Sequence, residues 1–253
     1  ELMRLKYGIA VAGAHGKTTT TSMISLILVQ ADLDPTIVVG GRMDNFAGTN
    51  ARMGMGNFMV VEADESDGSF NKLTPAIAIV TNMDREHMDH YQTMGKLKTA
   101  FCSFLNKVPF YGLCVVCGDD PYLKTILPKV SRRKKTYGFS KSNAYHLEHY
   151  VPFETGSKVT LNISGLKETL TLKVPGKHNA LNAVAALAVA DELGVPRQIS
   201  VAALQEFNGV QRRFQKRGEK SGVLFIDDYA HHPTEIRSVL QAAREQFPQN
   251  KLR

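Results

Sequence analysis

The chain reads as an α/β protein built on a mostly parallel sheet flanked by helices. Three observations predict this. Short, unalternating apolar runs recur along the chain, stretches of helical periodicity separate them, and the first strand-to-helix junction carries a glycine-bearing loop. The first run, Tyr7–Ala12, ends in Gly13-Ala14-His15-Gly16-Lys17-Thr18-Thr19, after which Met23, Ile24, Ile27, Leu28 and Ala31 recur at helical spacing. Residues 36–39, 58–61, 76–80 and 113–116 are further apolar runs, as strands buried on both faces require. Helices are predicted near 94–105 and 121–127, so strands and helices alternate with right-handed crossovers and place a site at the strand C-terminal ends.

Residues 159–163 and 168–174 alternate with period two around Gly165, which predicts an antiparallel edge hairpin. An Ala-rich helix over 178–193 stops at Gly194 and Pro196, and a second helix covers 199–207. Residues 208–222 are basic, glycine-punctuated and weakly periodic, and mark a domain boundary. A strand at Val223–Asp227 and a helix over 233–247 then open a second α/β domain, too little of which is present to bury a core alone. The expectation is therefore a central domain over 1–212 and the truncated start of another over 213–253.

Composition excludes little but points one way. At 43% hydrophobic and 22% charged, the chain has no apolar run near the ~20 residues of a membrane helix and no basic-then-apolar leader. A net charge of +7 suits anionic small ligands as well as nucleic acid. The basic run Arg132-Arg133-Lys134-Lys135 lacks interleaved aromatics and reads as a solvated loop, so no nucleic-acid partner and no membrane is expected. Three cysteines, Cys102, Cys114 and Cys117, form no disulfide framework, which fits a reducing, cytoplasmic setting. Cys114 and Cys117 sit on a buried strand where residues three apart diverge, so metal use is not expected.

The chemistry begins in the loop. Backbone N–H groups at a helix start cradle phosphate, Lys17 adds a point charge, and the Thr18 hydroxyl can ligate Mg²⁺. Gly13, Gly16 and Thr19 complete the phosphate contacts, whereas His15 either touches phosphate or shapes the loop. A full phosphate-loop pattern has glycine where Val11 stands, so the motif is a shortened form. The run 58–61 delivers Glu62, a candidate Mg²⁺ ligand, to a strand end. Asp64, Glu65 and Asp67 read as a solvated acidic loop. The run 76–80 delivers Thr81-Asn82 and then His87 and His90; of these, His87 is the candidate ligand for a second cation through a neutral imidazole.

The order of these motifs resembles that of the Mur ligases. Gly13 to Thr21, Glu62-Ala-Asp-Glu-Ser-Asp-Gly-Ser-Phe70, Thr81-Asn82 with His87, Pro175-Gly-Lys-His-Asn-Ala-Leu-Asn182, Arg213-Phe214 and Asp228-Tyr-Ala-His-His-Pro-Thr-Glu235 occur in that family's order. The resemblance implies a cytoplasmic, ATP- and Mg²⁺-dependent ligase of cell-wall precursor synthesis. Its acidic and Asp228 motifs are most similar to members that join L-alanine to UDP-N-acetylmuramate. It assigns Lys17, Glu62 and His87 to catalysis, and Thr18, Glu62 and His87 to metal. His178, Asn179 and Asn182 are implied on the adenine side, Arg213 and Asp228 reach ATP from the linker and second domain, and Asn82, Tyr229 and His231 face substrate. The family's N-terminal UDP-sugar domain has no counterpart in these residues. Several sister ligases carry a carbamylated lysine near the position where Cys102 stands here, with Lys96 and Lys98 close by, so the resemblance assigns no carbamylated lysine to this chain. A D-glutamate-adding or folate-type relative, or a phosphate-loop module without ligase activity, remains the rival reading.

Overall fold

The computed structural model describes residues 2–46 and 48–252. Strand β1 (Tyr7–Ala12) runs through the loop into α1 (Lys17–Gln30), and β2 (Thr36–Met43), β3 (Thr49–Arg52), β4 (Phe58–Glu62) and β5 (Ile77–Val80) follow. A short α2 (Met88–Tyr91) and α3 (Met94–Asn106) lead to β6 (Leu113–Cys117), α4 (Pro121–Ile126) and β7 (Lys134–Gly138). Then come β8 (Tyr145–Phe153), β9 (Gly156–Ile163), β10 (Leu166–Leu172), α5 (Lys177–Glu192) and α6 (Arg197–Glu206). The remaining elements are β11 (Gln215–Lys220), β12 (Val223–Asp227) and α7 (Pro233–Gln246).

Ten strands form one sheet in the order β10-β9-β8-β7-β6-β5-β1-β4-β2-β3. All pairings from β2 across to β8 are parallel, while β3 and the β8-β9-β10 edge are antiparallel. The expected fold class is therefore the observed one. Strand β1 lies between β4 and β5, so the chain winds away from it in both directions and leaves a crevice at its C-terminal end. The central strands are buried on both faces, with Ile9 to Ala12, Ile77 to Val80 and Leu113 to Val116 inaccessible to solvent.

Helix α1 is buried well beyond its apolar positions, since Thr18 through Leu28 are all buried. The reason is tertiary: α5 and α6 both pack on it, so no face is left for water. Its polar side chains are satisfied internally, with the hydroxyls of Thr21, Ser22 and Ser25 donating to the carbonyls of Lys17, Thr18 and Thr21 at 2.7–2.8 Å.

The basic run needs a correction. Lys134 and Lys135 belong to β7, not to a loop. Lys134 Nζ donates to the Val130 carbonyl at 2.9 Å, and Lys135 Nζ lies 5.8 Å from the centre of the Tyr145 ring, so both long stems carry their charge off a paired strand. Residues 208–222 likewise contain β11, which pairs with β12 as a separate two-stranded sheet. Phe214, Ala242 and Ala243 make a small apolar cluster of their own beneath it. Among the described residues no helix is long and apolar enough to cross a membrane.

Candidate functional site

The loop after β1 is held rigidly before any ligand is considered. Asn82, at the end of β5, accepts from His15 N at 2.8 Å through Oδ1 and donates to His15 O at 2.9 Å through Nδ2. Thr81 Oγ1 donates to the same carbonyl at 2.6 Å. Gly13 is obligatory here, at φ +132° with a Cβ position only 2.2 Å from Thr81 Oγ1. Gly16 caps α1 at φ 80° with no side-chain cap, so the first turn presents its N–H groups to the crevice. Asn82, expected to face substrate, thus spends its amide on the loop backbone.

Lys17 folds back, donating to Gly13 O at 2.8 Å and lying 3.0 Å from both carboxylate oxygens of Glu65. Burial raises the Glu65 pKa, and Lys17 offsets part of that rise. Glu62 ends β4 with Oε2 accepting from Gly40 N at 2.7 Å, so β2 sets its direction. His87 caps α2 in the left-handed region at φ 55°, an unfavourable conformation for a non-glycine residue and one that often accompanies a functional constraint. Its Nε2 lies 3.8 Å from Glu65 Oε1. Ligand atoms of Glu65, Glu86 and His87 all lie within 4.8 Å of one another.

Two cavities flank the loop. The larger, about 1190 Å³, is lined by Lys17, Thr18, Glu62, His87, Tyr229 and His231. The smaller, about 110 Å³, is lined by His15, Thr19, His178, Asn182, Arg213 and Asp228, with Asn82 and Asn179 on its wall. The structure thus brings every candidate residue but Gly13 to one of two adjoining walls, and Gly13 shapes the loop between them. Asn179 Nδ2 donates to Pro175 O at 2.6 Å. Burial, helped by the Arg213 charge, pushes the His178 pKa down to about 4, so the ring is neutral. Asp228 accepts from Phe214 N at 2.7 Å and Ala230 N at 2.8 Å, and so builds the turn that leads to α7. Arg213 reaches Glu235 at 3.4 Å.

A second set of residues was not legible as functional. Glu65 was read as solvated yet is 2% exposed. Asp84, Glu86, His232 and Glu235 gather around His15 where α7 meets the loop. Burial opposes ionisation of Glu235, but His15, the His231 N–H and Arg213 bring its pKa down to about 2. Burial likewise works against a charged His15 ring, yet the neighbouring Glu235 and Asp84 carboxylates raise its pKa. Only the density of Asp, Glu and His around 84–87 and 231–235 could have signalled this cluster.

A bare helix start after β1, Glu62 at the end of β4 and α7 meeting the loop through Glu235 define a phosphate-loop α/β protein with a two-walled cleft. The chain belongs to the Mur ligase family: the Mur ligase middle domain matches residues 11–190 and the Mur ligase, glutamate ligase domain matches residues 212–253. It is 53% identical over 251 residues to a UDP-N-acetylmuramate--L-alanine ligase of Sorangium cellulosum, covering 98% of this chain and 53% of that protein. Identity to the Solibacter usitatus protein of the same name is 53% over 247 residues, covering 97% of this chain and 52% of that one. The solved UDP-N-acetylmuramate-alanine ligase of Thermotoga maritima superposes with TM-score 0.86 at 35% identity, covering 99% of this chain and 57% of that one. The chain spans about half the length of the curated relatives it matches.

Proposed function

We propose that this chain supplies the ATP-binding wall, and part of the closing wall, of a cytoplasmic ligase that joins L-alanine to the carboxylate of UDP-N-acetylmuramate. The division into units at 212 and 213 is part of this proposal, supported by the separate sheet and apolar cluster of the second unit. The observation that carries the reading is Lys17: a cation at a bare helix start, facing a cleft whose opposite wall offers Tyr229, His231 and Arg213.

ATP transfers its γ-phosphoryl group to the sugar-linked carboxylate, giving an acyl phosphate and ADP. The L-alanine amine attacks the acyl carbon, loses a proton, and the tetrahedral adduct expels phosphate as the amide forms. Two anions must meet in the first step, so Lys17 and the α1 N–H groups lower the repulsion. The donor set suits Mg²⁺: carboxylate oxygens of Glu65 and Glu86 with the His87 imidazole, their ligand atoms within 4.8 Å of one another. Thr18, Glu62 and His87 would hold two Mg²⁺ ions, Glu62 and His87 on different ones, with Glu65 in reach, and bound Mg²⁺ would supply positive charge to the phosphate oxygens. Asn179, Asn182 and the neutral His178 offer a polar edge for adenine. Arg213 and Asp228 come from the second unit, so closure of that unit assembles the site.

Calorimetry with ATP and Mg²⁺ tests the nucleotide half of the reading. Phosphate release that depends on L-alanine and UDP-N-acetylmuramate, in the protein that carries this chain, tests the ligase half. ATP binding without amino-acid-dependent release would favour a phosphate-loop module, and release driven by D-glutamate would favour a sister ligase.

A further inference from the structure

We propose that His15, Glu86 and His232 form a site for a zinc-class divalent cation, separate from the Mg²⁺ residues, which staples the phosphate loop to the start of α7. The three come from different parts of the chain: the loop after β1, the segment between β5 and α2, and the N-cap of α7. His15 Nδ1 is 3.8 Å and His232 Nδ1 is 3.6 Å from Glu86 Oε1, and all three ligand atoms lie within 4.8 Å of one another. Tetrahedral zinc, with bonds of about 2.0–2.1 Å, spaces its ligands roughly 3.3 Å apart, so small side-chain rotations close the triangle.

An independent observation points to a ligand. His15 Nδ1 and His232 Nδ1 are both shielded from solvent, and neither has a hydrogen-bond partner of acceptable geometry among the described residues. Buried imidazole nitrogens seldom stay unmatched. Asp84 supplies the matching outer contact, its Oδ2 lying 3.1 Å from His15 Nε2. In the tautomer that donates Nε2–H to Asp84, the Nδ1 lone pair faces the cluster, the carboxylate-histidine arrangement that commonly supports zinc. Asp84 is in turn held by Thr234 Oγ1 at 2.7 Å. Glu235 Oε1, 3.4 Å from His15 Nδ1, is in reach as a fourth ligand.

Two imidazoles with carboxylate favour zinc over magnesium, which takes oxygen ligands and keeps its water. The set is distinct from Thr18, Glu62 and His87, although Glu86 borders both. A cation held here ties the phosphate loop to α7, and so fixes one wall of the cleft against the other.

The test uses the 253-residue chain, stripped of metal and free of nucleotide, titrated with Co²⁺ and followed by its visible d–d absorption, then back-titrated with Zn²⁺. One Co²⁺ per chain, with tetrahedral intensity and displaced by equimolar Zn²⁺, is expected. His15→Gln and His232→Gln should each weaken binding at least tenfold, while Glu62→Gln and His87→Ala keep the band. In the unsubstituted chain, Zn²⁺ should protect His15 and His232 from diethylpyrocarbonate, read by peptide mass spectrometry, so the result does not depend on how the variants fold. A band lost in His87→Ala but kept in His232→Gln, or no protection of either histidine, overturns the proposal.

Discussion

Lys17 Nζ stands 3.0 Å from both oxygens of Glu65, a carboxylate that is only 2% exposed. The lysine expected to serve phosphate alone therefore also neutralises a buried acid. Removing one partner of such a pair strands the other charge, whereas removing both does not. Lys17→Met should cost roughly 3 kcal/mol of stability, and Lys17→Met with Glu65→Gln should recover most of it. Urea unfolding of the four proteins measures the coupling; additive single effects would contradict the pairing.

Asn82 matches both backbone groups of His15, so Asn82→Ala should loosen the phosphate loop rather than the sheet. Loss of two hydrogen bonds predicts about 2 kcal/mol of destabilisation and at least tenfold weaker ATP binding. Asn82→Asp keeps the acceptor but adds negative charge beside the phosphates, so it should harm ATP affinity more than stability. Calorimetry and chemical unfolding on the same preparations separate the two.

Gly13 and Gly165 both have positive φ, but only one is crowded. A Cβ at Gly13 would sit 2.2 Å from Thr81 Oγ1, whereas among the described residues nothing beyond the chain neighbours of Gly165 lies within 4 Å of a Cβ there. Gly165→Ala should cost only the left-handed backbone penalty, about 1 kcal/mol. Gly13→Ala should cost more and abolish ATP binding, because the loop must move to admit the methyl group. Equal melting temperatures for the two variants would refute this.

The His178 ring carries the clearest pH signature. Its pKa falls from 6.5 to about 4 in the folded chain. Between these values the unfolded chain binds the extra proton, so acidification through this window removes stability, and stability is fully regained above pH 6.5. The upper bound is about 3 kcal/mol, at 1.36 kcal/mol per unit. His178→Gln should flatten the change in unfolding free energy between pH 7 and pH 5 relative to the parent; identical slopes would mean the ring titrates normally.

What the sequence made legible follows from locality. Strand β1, the loop and α1 are contiguous, and apolar runs with turn residues mark β4, β5 and β6 without reference to the rest of the chain. Strands β7 and β8 were hidden because Lys134, Lys135, His146, Glu148 and His149 give them a polar reading. Their pairing is supplied by β6 and β9, which no local window contains. Glu65 was misread for the same reason: its burial depends on Lys17 and on the Tyr91 hydroxyl that donates to its carbonyl. Asp84, Glu86, His232 and Glu235 meet only when α7 folds onto the loop, across about 150 residues of chain.

Glu62 ends β4 whereas His87 caps α2 beyond the end of β5, so they should answer to Mg²⁺ differently. Glu62 is aimed by Gly40 N, a contact that Glu62→Gln preserves in shape while removing the charge. Its loss should raise the Mg²⁺ concentration needed for half-maximal ATP binding severalfold, since a hard cation gains most from a formal carboxylate. His87 sits at φ 55° between Glu65 and the cleft, so His87→Ala removes a ligand while leaving Glu62 and Thr18 in place. That variant should bind the nucleotide with near-parental Mg²⁺ dependence but turn over at least a hundredfold more slowly in the protein that carries this chain, because its contribution falls where the phosphoryl group moves. Mg²⁺ titrations of ATP affinity and of phosphate release, run on both variants, check the split. Matching profiles for the two would place both residues on a single ion, and no change in either would remove them from metal binding.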